Sequence, residues 1–293
     1  MAEVPADLFR KIRQLEIRTK GIVNTMFSGE YRSSFKGQGI EFSEVREYNY
    51  GDDIRMIDWN VSARQGKPFV KIYHEEREQT LMLMVDASGS LWFGSKYPLK
   101  YEMAIQLSAV LAFSAIKNND KVGLCIFSDR IERYIAPRKG RTHVLRVLRE
   151  LFSHQPEQRP TRLGLVSEYI SRVLKRRAIV FLISDFDDLG FEKEIKILNQ
   201  KHDLIAVIMR DMGELVPPHI GLANVRDPET GETTTVDFGS KRVREEFRQY
   251  YLRQHKESAD LIKKLQIDSI ELFTHHDFVE KLMAFFRMRG RRN

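Results

Sequence analysis

A single cysteine in 293 residues, Cys125, leaves no partner for an internal disulfide and no thiolate set for a structural zinc site. It sits in the apolar run 122–127, where a thiol reads as a buried packing group. Long hydrophobic runs are missing too: the longest, residues 107–116, contains two serines and is too short to span a bilayer. The opening Met1-Ala2-Glu3-Val4-Pro5 lacks the basic and apolar regions of a secretion signal, so a cytoplasmic protein is expected. No glycine-rich phosphate loop ending in Lys-Ser or Lys-Thr is present, which excludes a P-loop ATPase, and no dinucleotide fingerprint follows the first strand of the alternating region. Ser88 lacks the flanking glycines of a nucleophile elbow, and no histidine is placed by sequence to activate it.

What is present is an ordinary soluble balance, 42% hydrophobic and 30% charged, in a chain long enough to bury a large core. The net charge of +7 is unevenly spread. Lys281, Arg287, Arg289, Arg291 and Arg292 lie in the last thirteen residues with no acid, so the rest of the chain carries about +2. This tail reads as a solvated, frayed C-terminus, with contact to a membrane surface left open. Arg138-Lys139-Gly140-Arg141, together with Arg172, Lys175, Arg176 and Arg177, could make a basic face, but without aromatic residues for base stacking no specific nucleic-acid partner is expected. His275-His276 reads as a capping or exposed pair.

The apolar spacing predicts an amphipathic helix over about 6–26, then a Gly, Ser and charge-rich stretch, and a strand over 69–74. From about residue 78 strands alternate with helices. Strands are expected at 80–85, 122–127, 130–135, 178–183, 203–209 and 269–273; helices at 100–117, 142–152, 163–175, 191–200, 240–265 and from Asp277 onward. Turn signals at Asp227-Pro228 and Thr230-Gly231 predict a hairpin within 222–238. Short, continuously apolar strands separated by helices imply an α/β fold: a mostly parallel sheet with helices on both faces and one antiparallel edge strand near Asp129. The expected organisation is an N-terminal extension over 1–74, an α/β domain over 75–275, and a C-terminal helix with its basic tail over 276–293.

The most telling motif is Asp86-Ala87-Ser88-Gly89-Ser90, at the exit of the run Leu81-Met82-Leu83-Met84-Val85. One carboxylate and two hydroxyls, two residues apart, put three oxygen donors on one loop, the donor type that hard cations such as Mg²⁺ take. In open α/β sheets ligands gather beyond the carboxyl ends of the strands. Asp185 follows the strand at 178–183, and Thr161 precedes the helix leading into it. As ordinary structure, Asp86 and Ser88 would be turn residues, Thr161 a helix N-cap, and Asp187 and Asp188 acids favouring the start of the next helix. In order and context, Asp86, Ser88, Ser90, Thr161 and Asp185 resemble the metal-ion-dependent adhesion site of von Willebrand factor A domains. The resemblance implies Mg²⁺, with Mn²⁺ or Ca²⁺ open, held directly by the two serines and the threonine and through water by the two aspartates. It also implies an open coordination position for a partner's carboxylate. Arg162 and Leu163 follow Thr161 where an acidic residue is frequent in such domains.

The run Gly37-Gln38-Gly39-Ile40-Glu41-Phe42-Ser43-Glu44-Val45-Arg46-Glu47-Tyr48, continuing through Gly51-Asp52-Asp53-Ile54-Arg55-Met56-Ile57-Asp58-Trp59, is similar to the signature of the bacterial domain-of-unknown-function family fifty-eight. Members carry it ahead of a von Willebrand factor A-like domain and are commonly encoded beside a MoxR-type AAA+ ATPase. The resemblance covers about residues 20–210 and implies a non-enzymatic, chaperone-like adaptor joining that ATPase to a client protein offering an acidic side chain. Physically, Asn49 to Asp53 reads as a turn, with Ile54, Met56, Ile57 and Trp59 as apolar anchors and Arg46, Arg55 and Asp58 as a salt-bridge network. Two other classes stay open: a metal-dependent phosphoesterase or nuclease-like hydrolase at the same loop, and a peripheral membrane scaffold using Phe278, Leu282, Met283, Phe285, Phe286 and the tail.

Overall fold

The computed structural model describes residues 13–17, 21, 39–76, 78–95, 98–155, 159–188 and 190–292. Residues 13–17 and 21 are helical, within the helix expected over 6–26; the rest of that expectation lies outside the described residues. The chain divides into two compact units, Phe35–Gln79 and the remainder.

In the smaller unit, β1 (Gly39–Glu47) pairs antiparallel with β2 (Phe69–Glu76), with a register shift between Phe42 and Glu44. Between them lie a 3₁₀ turn (Ile54–Met56) and α1 (Trp59–Gln65). Asp58 caps α1 by accepting the backbone N–H groups of Asn60 and Val61, and Gly66 closes it at φ 70°, a conformation a Cβ would strain. Two expectations need correcting here. Ile54, Met56 and Trp59 are 65%, 45% and 68% exposed, so among the described residues they are not buried anchors, whereas Ile57 is half-buried and bridges to Val70. Arg46, Arg55 and Asp58 form no common network: Arg46 pairs with Asp52 at 2.7 Å, Arg55 with Asp53 at 2.8 Å, and Asp58 approaches Lys71 at 3.6 Å. Each acid lies within a few residues of its base or cap, so local geometry wins over a longer-range network.

The larger unit is built on six strands: β3 (Thr80–Asp86), β4 (Lys121–Phe127), β5 (Ile131–Arg138), β6 (Ile179–Ser184), β7 (Asp203–Arg210) and β10 (Asp268–Phe273). Their order is β10-β7-β6-β3-β4-β5, all parallel except β5, which runs antiparallel to β4 at one edge. This is the α/β, von Willebrand factor A-like arrangement that was expected. The chain winds outward from β3 to β5, then returns to β6 on the other side of β3, which makes β3/β6 the point where strand order reverses.

Leu81 to Val85 are all 0% exposed, because the central strand is covered on both faces. On one face Met82, Met84, Cys125, Val180 and Leu182 pack against α4 (Leu163–Val173), α5 (Glu192–Lys201) and Ile262 of α7 (Lys241–Lys264). On the other, α2 (Lys100–Lys117) lies on the sheet beside α3 (Arg141–Ser153). Burial pushes the Cys125 thiol up to about 12, so it is inert packing. A short α6 (Met212–Leu215) follows β7, and β8 (Leu222–Arg226) and β9 (Thr233–Asp237) form the expected hairpin.

The C-terminal segment departs from the solvated, frayed tail expected of it. Residues through Arg292 form α8 (Phe278–Arg292), whose Leu282, Met283, Phe285 and Phe286 are buried. Arg289, 8% exposed, reaches Asp203 at 2.7 Å and Asp268 at 3.4 Å, and Arg292 reaches Asp268 at 3.3 Å. Part of the basic run therefore neutralises acids at the starts of β7 and β10. Among the described residues no helix is long and apolar enough to cross a membrane.

Candidate functional site

Three stretches of chain meet beyond the carboxyl ends of β3 and β6. Backbone hydrogen bonds hold them: Ala87 N donates to Phe127 O at 2.8 Å, Gly89 N to Arg159 O at 3.0 Å, and Arg162 N to Ser128 O at 3.1 Å. Asp86 is wholly buried at the strand end, where Oδ1 accepts Ser88 N at 2.9 Å. Its Oδ2 accepts Thr161 Oγ1 at 3.1 Å and Ser184 Oγ at 2.6 Å. The chain then turns into a 3₁₀ segment over Gly89–Trp92, which sets Ser90 Oγ 3.1 Å from Ser88 Oγ.

Thr161 is not the N-cap of α4. That position is held by Arg162, and the first N–H of the helix, on Leu163, is taken by Asp188 Oδ2 at 2.7 Å. Asp188 therefore serves the start of α4, 25 residues earlier in the chain. The Thr161 hydroxyl is directed to Asp86.

Asp185 is 3% exposed and joins the others through charge rather than through a hydrogen bond. Its Oδ2 receives Lys100 Nζ at 2.9 Å, and the same ammonium reaches Glu214 Oε1 at 2.6 Å. Lys100, at 1% exposure, is held protonated: burial opposes its charge, but Asp185 and Glu214 outweigh it. Burial likewise opposes the charge on Glu214, yet Lys100, His255 and the Asp211 N–H hold its carboxyl down at about 2. Behind this pair Arg210 donates to the Asp185 carbonyl and to Ser258 Oγ, both at 2.7 Å. Phe186, buried and at φ 58°, sits in the left-handed region, a strain of order 1 kcal/mol stored in the loop between Asp185 and Asp187.

The charge balance near Asp86 is different. Burial first, and the neighbouring Asp185 second, push Asp86 up to about 7. Burial, then Asp185, Asp187 and Asp86, push Glu229 on the β8–β9 loop up to about 8. Glu229 Oε1 is buried and has no hydrogen-bond partner among the described residues. Two buried carboxylates and a half-buried one with an orphaned oxygen, all repelling one another, are what a cation would relieve. The hydroxyls fit as well: cis ligands of an octahedral ion at 2.0–2.1 Å stand about 2.9 Å apart, against 3.1 Å for Ser88 and Ser90. Among the described residues no three His, Cys, Asp or Glu side chains are grouped to hold a metal by themselves, so a cation here depends on the hydroxyls.

Asp86, Ser88, Ser90 and Thr161 thus form one hydrogen-bonded group, with Asp185 at the adjoining strand end. Sequence reasoning missed Ser184, Lys100, Glu214, Arg210 and Glu229. Ser184 and Glu214 carried a faint signal, since each follows or ends a strand on the ligand-bearing side of the sheet. Lys100 and Glu229 carried none.

Fold and site together define a mostly parallel α/β protein of the von Willebrand factor A-like type, with an oxygen-rich cluster at the strand-order reversal. The chain belongs to the family described as "Protein of unknown function DUF58", whose model matches residues 44–257. It is similar to an uncharacterized protein of Mycobacterium bovis, 25% identical over 283 residues that cover 96% of this chain and 89% of that one. It also resembles the uncharacterized protein YeaD of Bacillus subtilis, at 29% identity over 37% of this chain and 25% of the other. Among solved structures, BatB from Bacteroides thetaiotaomicron aligns with a TM-score of 0.45 at 13% identity, covering 73% of this chain and 99% of that chain. The VWA domain of SpRpn10 aligns with a TM-score of 0.38 at 12% identity, covering 71% and 94%. Both are weak overall likenesses, and the fold stands on its own strand order.

Proposed function

We propose that this protein is a non-enzymatic, metal-dependent protein-binding adaptor. Its cleft holds Mg²⁺, with Mn²⁺ or Ca²⁺ as alternatives, through Ser88, Ser90 and Thr161, while Asp86 and Asp185 act through water. The observation that carries the proposal is the 3.1 Å separation of two serine hydroxyls beside a fully buried aspartate at the strand-order reversal. Hydroxyl ligands are neutral, so the ion keeps most of its charge and attracts an acidic side chain from a client protein. Lys100 sharpens this by neutralising Asp185 from behind, which leaves the ion less compensated than two free aspartates would. Among the described residues neither Ser88 nor Thr161 has a histidine among its hydrogen-bond partners, so no hydroxyl–imidazole pair is formed here. Family membership supports pairing the adaptor with a MoxR-type AAA+ ATPase in assembly or maturation of the client.

The test is capture of the ATPase and client from the native cell by immobilised protein, with and without chelator, beside Asp86→Ala. Capture should need the divalent ion and fall at least tenfold in the variant while its circular dichroism stays unchanged. Capture that survives both chelation and the substitution would refute the proposal.

A further inference from the structure

The tip of the β8–β9 hairpin lies against the loop that carries Ser88 and Ser90. The tip has a fixed shape: Asp227 Oδ1 accepts the N–H groups of Glu229 at 2.8 Å and Thr230 at 3.1 Å, and Gly231 N donates to Asp227 O at 2.9 Å. The Pro228 carbonyl presses on Gly89 so closely that a Cβ there would stand 1.8 Å from its oxygen and 2.4 Å from its carbon. Gly89 is the residue between the two serines, so the tip lies against the backbone of the loop that carries both hydroxyls. Glu229 is the next residue along, and its Oε1 is buried with no hydrogen-bond partner among the described residues. The negative charges of Asp185, Asp187 and Asp86 all act on it. A carboxylate brought toward other carboxylates with one oxygen covered and given no donor is unfavourable alone. A divalent cation among them reverses the sign of each of these interactions.

We propose that Glu229 is an intramolecular ligand: the hairpin tip fills the coordination position a client's carboxylate would take, and capture requires the tip to lift. This rests on the metal-binding function proposed above. The site is then closed by its own chain, and a client competes with a ligand already covalently tethered beside the ion. Such tethering raises the effective concentration of the internal carboxylate, so isolated carboxylates compete poorly and an extended acidic client that also engages the hairpin is favoured.

The test uses the full chain, Mn²⁺ as the probe ion, and the variants Glu229→Gln, Glu232→Gln and Asp86→Ala. Glu232 is an exposed acid on the same hairpin and controls for loss of charge. Calorimetry should show Mn²⁺ affinity falling at least fivefold in E229Q and staying within twofold in E232Q. Amide exchange over residues 227–231 should slow at least threefold on adding Mn²⁺ to the wild type, and not in E229Q. Acetate, followed by water-proton relaxation, should bind Mn²⁺-loaded E229Q at concentrations at least fivefold lower than the wild type. Unchanged Mn²⁺ affinity and hairpin exchange in E229Q would overturn the internal-ligand role and leave the metal site standing. Equal acetate binding by both proteins would overturn the blocking role. A wild type that binds Mn²⁺ no better than D86A would overturn the metal site, and this inference with it.

Discussion

Lys100→Met is the sharpest probe of how the cleft is held. The ammonium lies 2.9 Å from Asp185 and 2.6 Å from Glu214, all three side chains being under 8% exposed. At an effective dielectric of about 20, each contact contributes about 6 kcal/mol of Coulomb attraction, much of it offset by desolvation of three charges. Methionine keeps the stem's volume and removes the charge, leaving two buried carboxylates without their cation. They escape by taking up protons, which at pH 7 costs about 4 kcal/mol for an aspartate and slightly less, about 3.7 kcal/mol, for a glutamate. Breaking a buried pair by removing one partner destabilises by about 3–5 kcal/mol. The expected loss at pH 7 is in that range, a large part of a typical domain's stability.

The sign with pH follows from the same escape. In the variant the two carboxyls titrate higher when folded than when unfolded, so the folded state holds more protons and gains relative stability as pH falls. At pH 5 the protonation costs drop to about 1.5 and about 1 kcal/mol, and the penalty should shrink accordingly. Urea unfolding at the two pH values measures both. Glu214→Gln should cost less than K100M, since Asp185 keeps its ammonium, and the double variant should lose less than the sum. A loss below about 1 kcal/mol at pH 7, or one that does not shrink at pH 5, would refute the account of the buried cation.

Two further expectations are independent of the cleft's ligand chemistry. Gly89→Ala places a methyl group 1.8 Å from the Pro228 oxygen, so it should destabilise by about 1–3 kcal/mol and speed amide exchange over 227–231. Gly164→Ala, whose Cβ would come no nearer than 3.6 Å to any neighbour, should be neutral or stabilising in the same urea assay; equal effects would count against the close hairpin contact. His202 is 2% exposed, neither ring nitrogen has a partner among the described residues, and burial with the nearby Lys201 and Arg177 lowers it to about 4. Its folded pKa lies below the unfolded one, so stability is complete above about pH 6.5 and is lost by up to about 3 kcal/mol as pH falls toward 4. His202→Leu should flatten that slope, and an unchanged slope in a pH series of urea melts would rule the group out.

The amino-acid sequence by itself determined the strands and helices of the α/β unit and the loop that ends β3. Those features are written in short windows: Leu81 to Val85 must be a doubly covered strand, and Asp-x-Ser-x-Ser must follow it, whatever the rest of the chain does. The helix at Lys100–Lys117 was legible for the same reason. Tertiary structure alone decided which charges face one another. Lys100 meets partners 85 and 114 residues away, and its sequence context is that of an ordinary helix start. The hairpin was recognisable from its turn residues, but nothing local says that Pro228 would press on Gly89 and carry Glu229 under cover. The tail shows the converse, where a basic run that looks solvated in sequence is drawn onto the sheet by Asp203 and Asp268. Periodicity fixes which side of an element is buried, whereas the pairing of buried charges depends on where strand order reverses, and that is settled only when the whole sheet assembles.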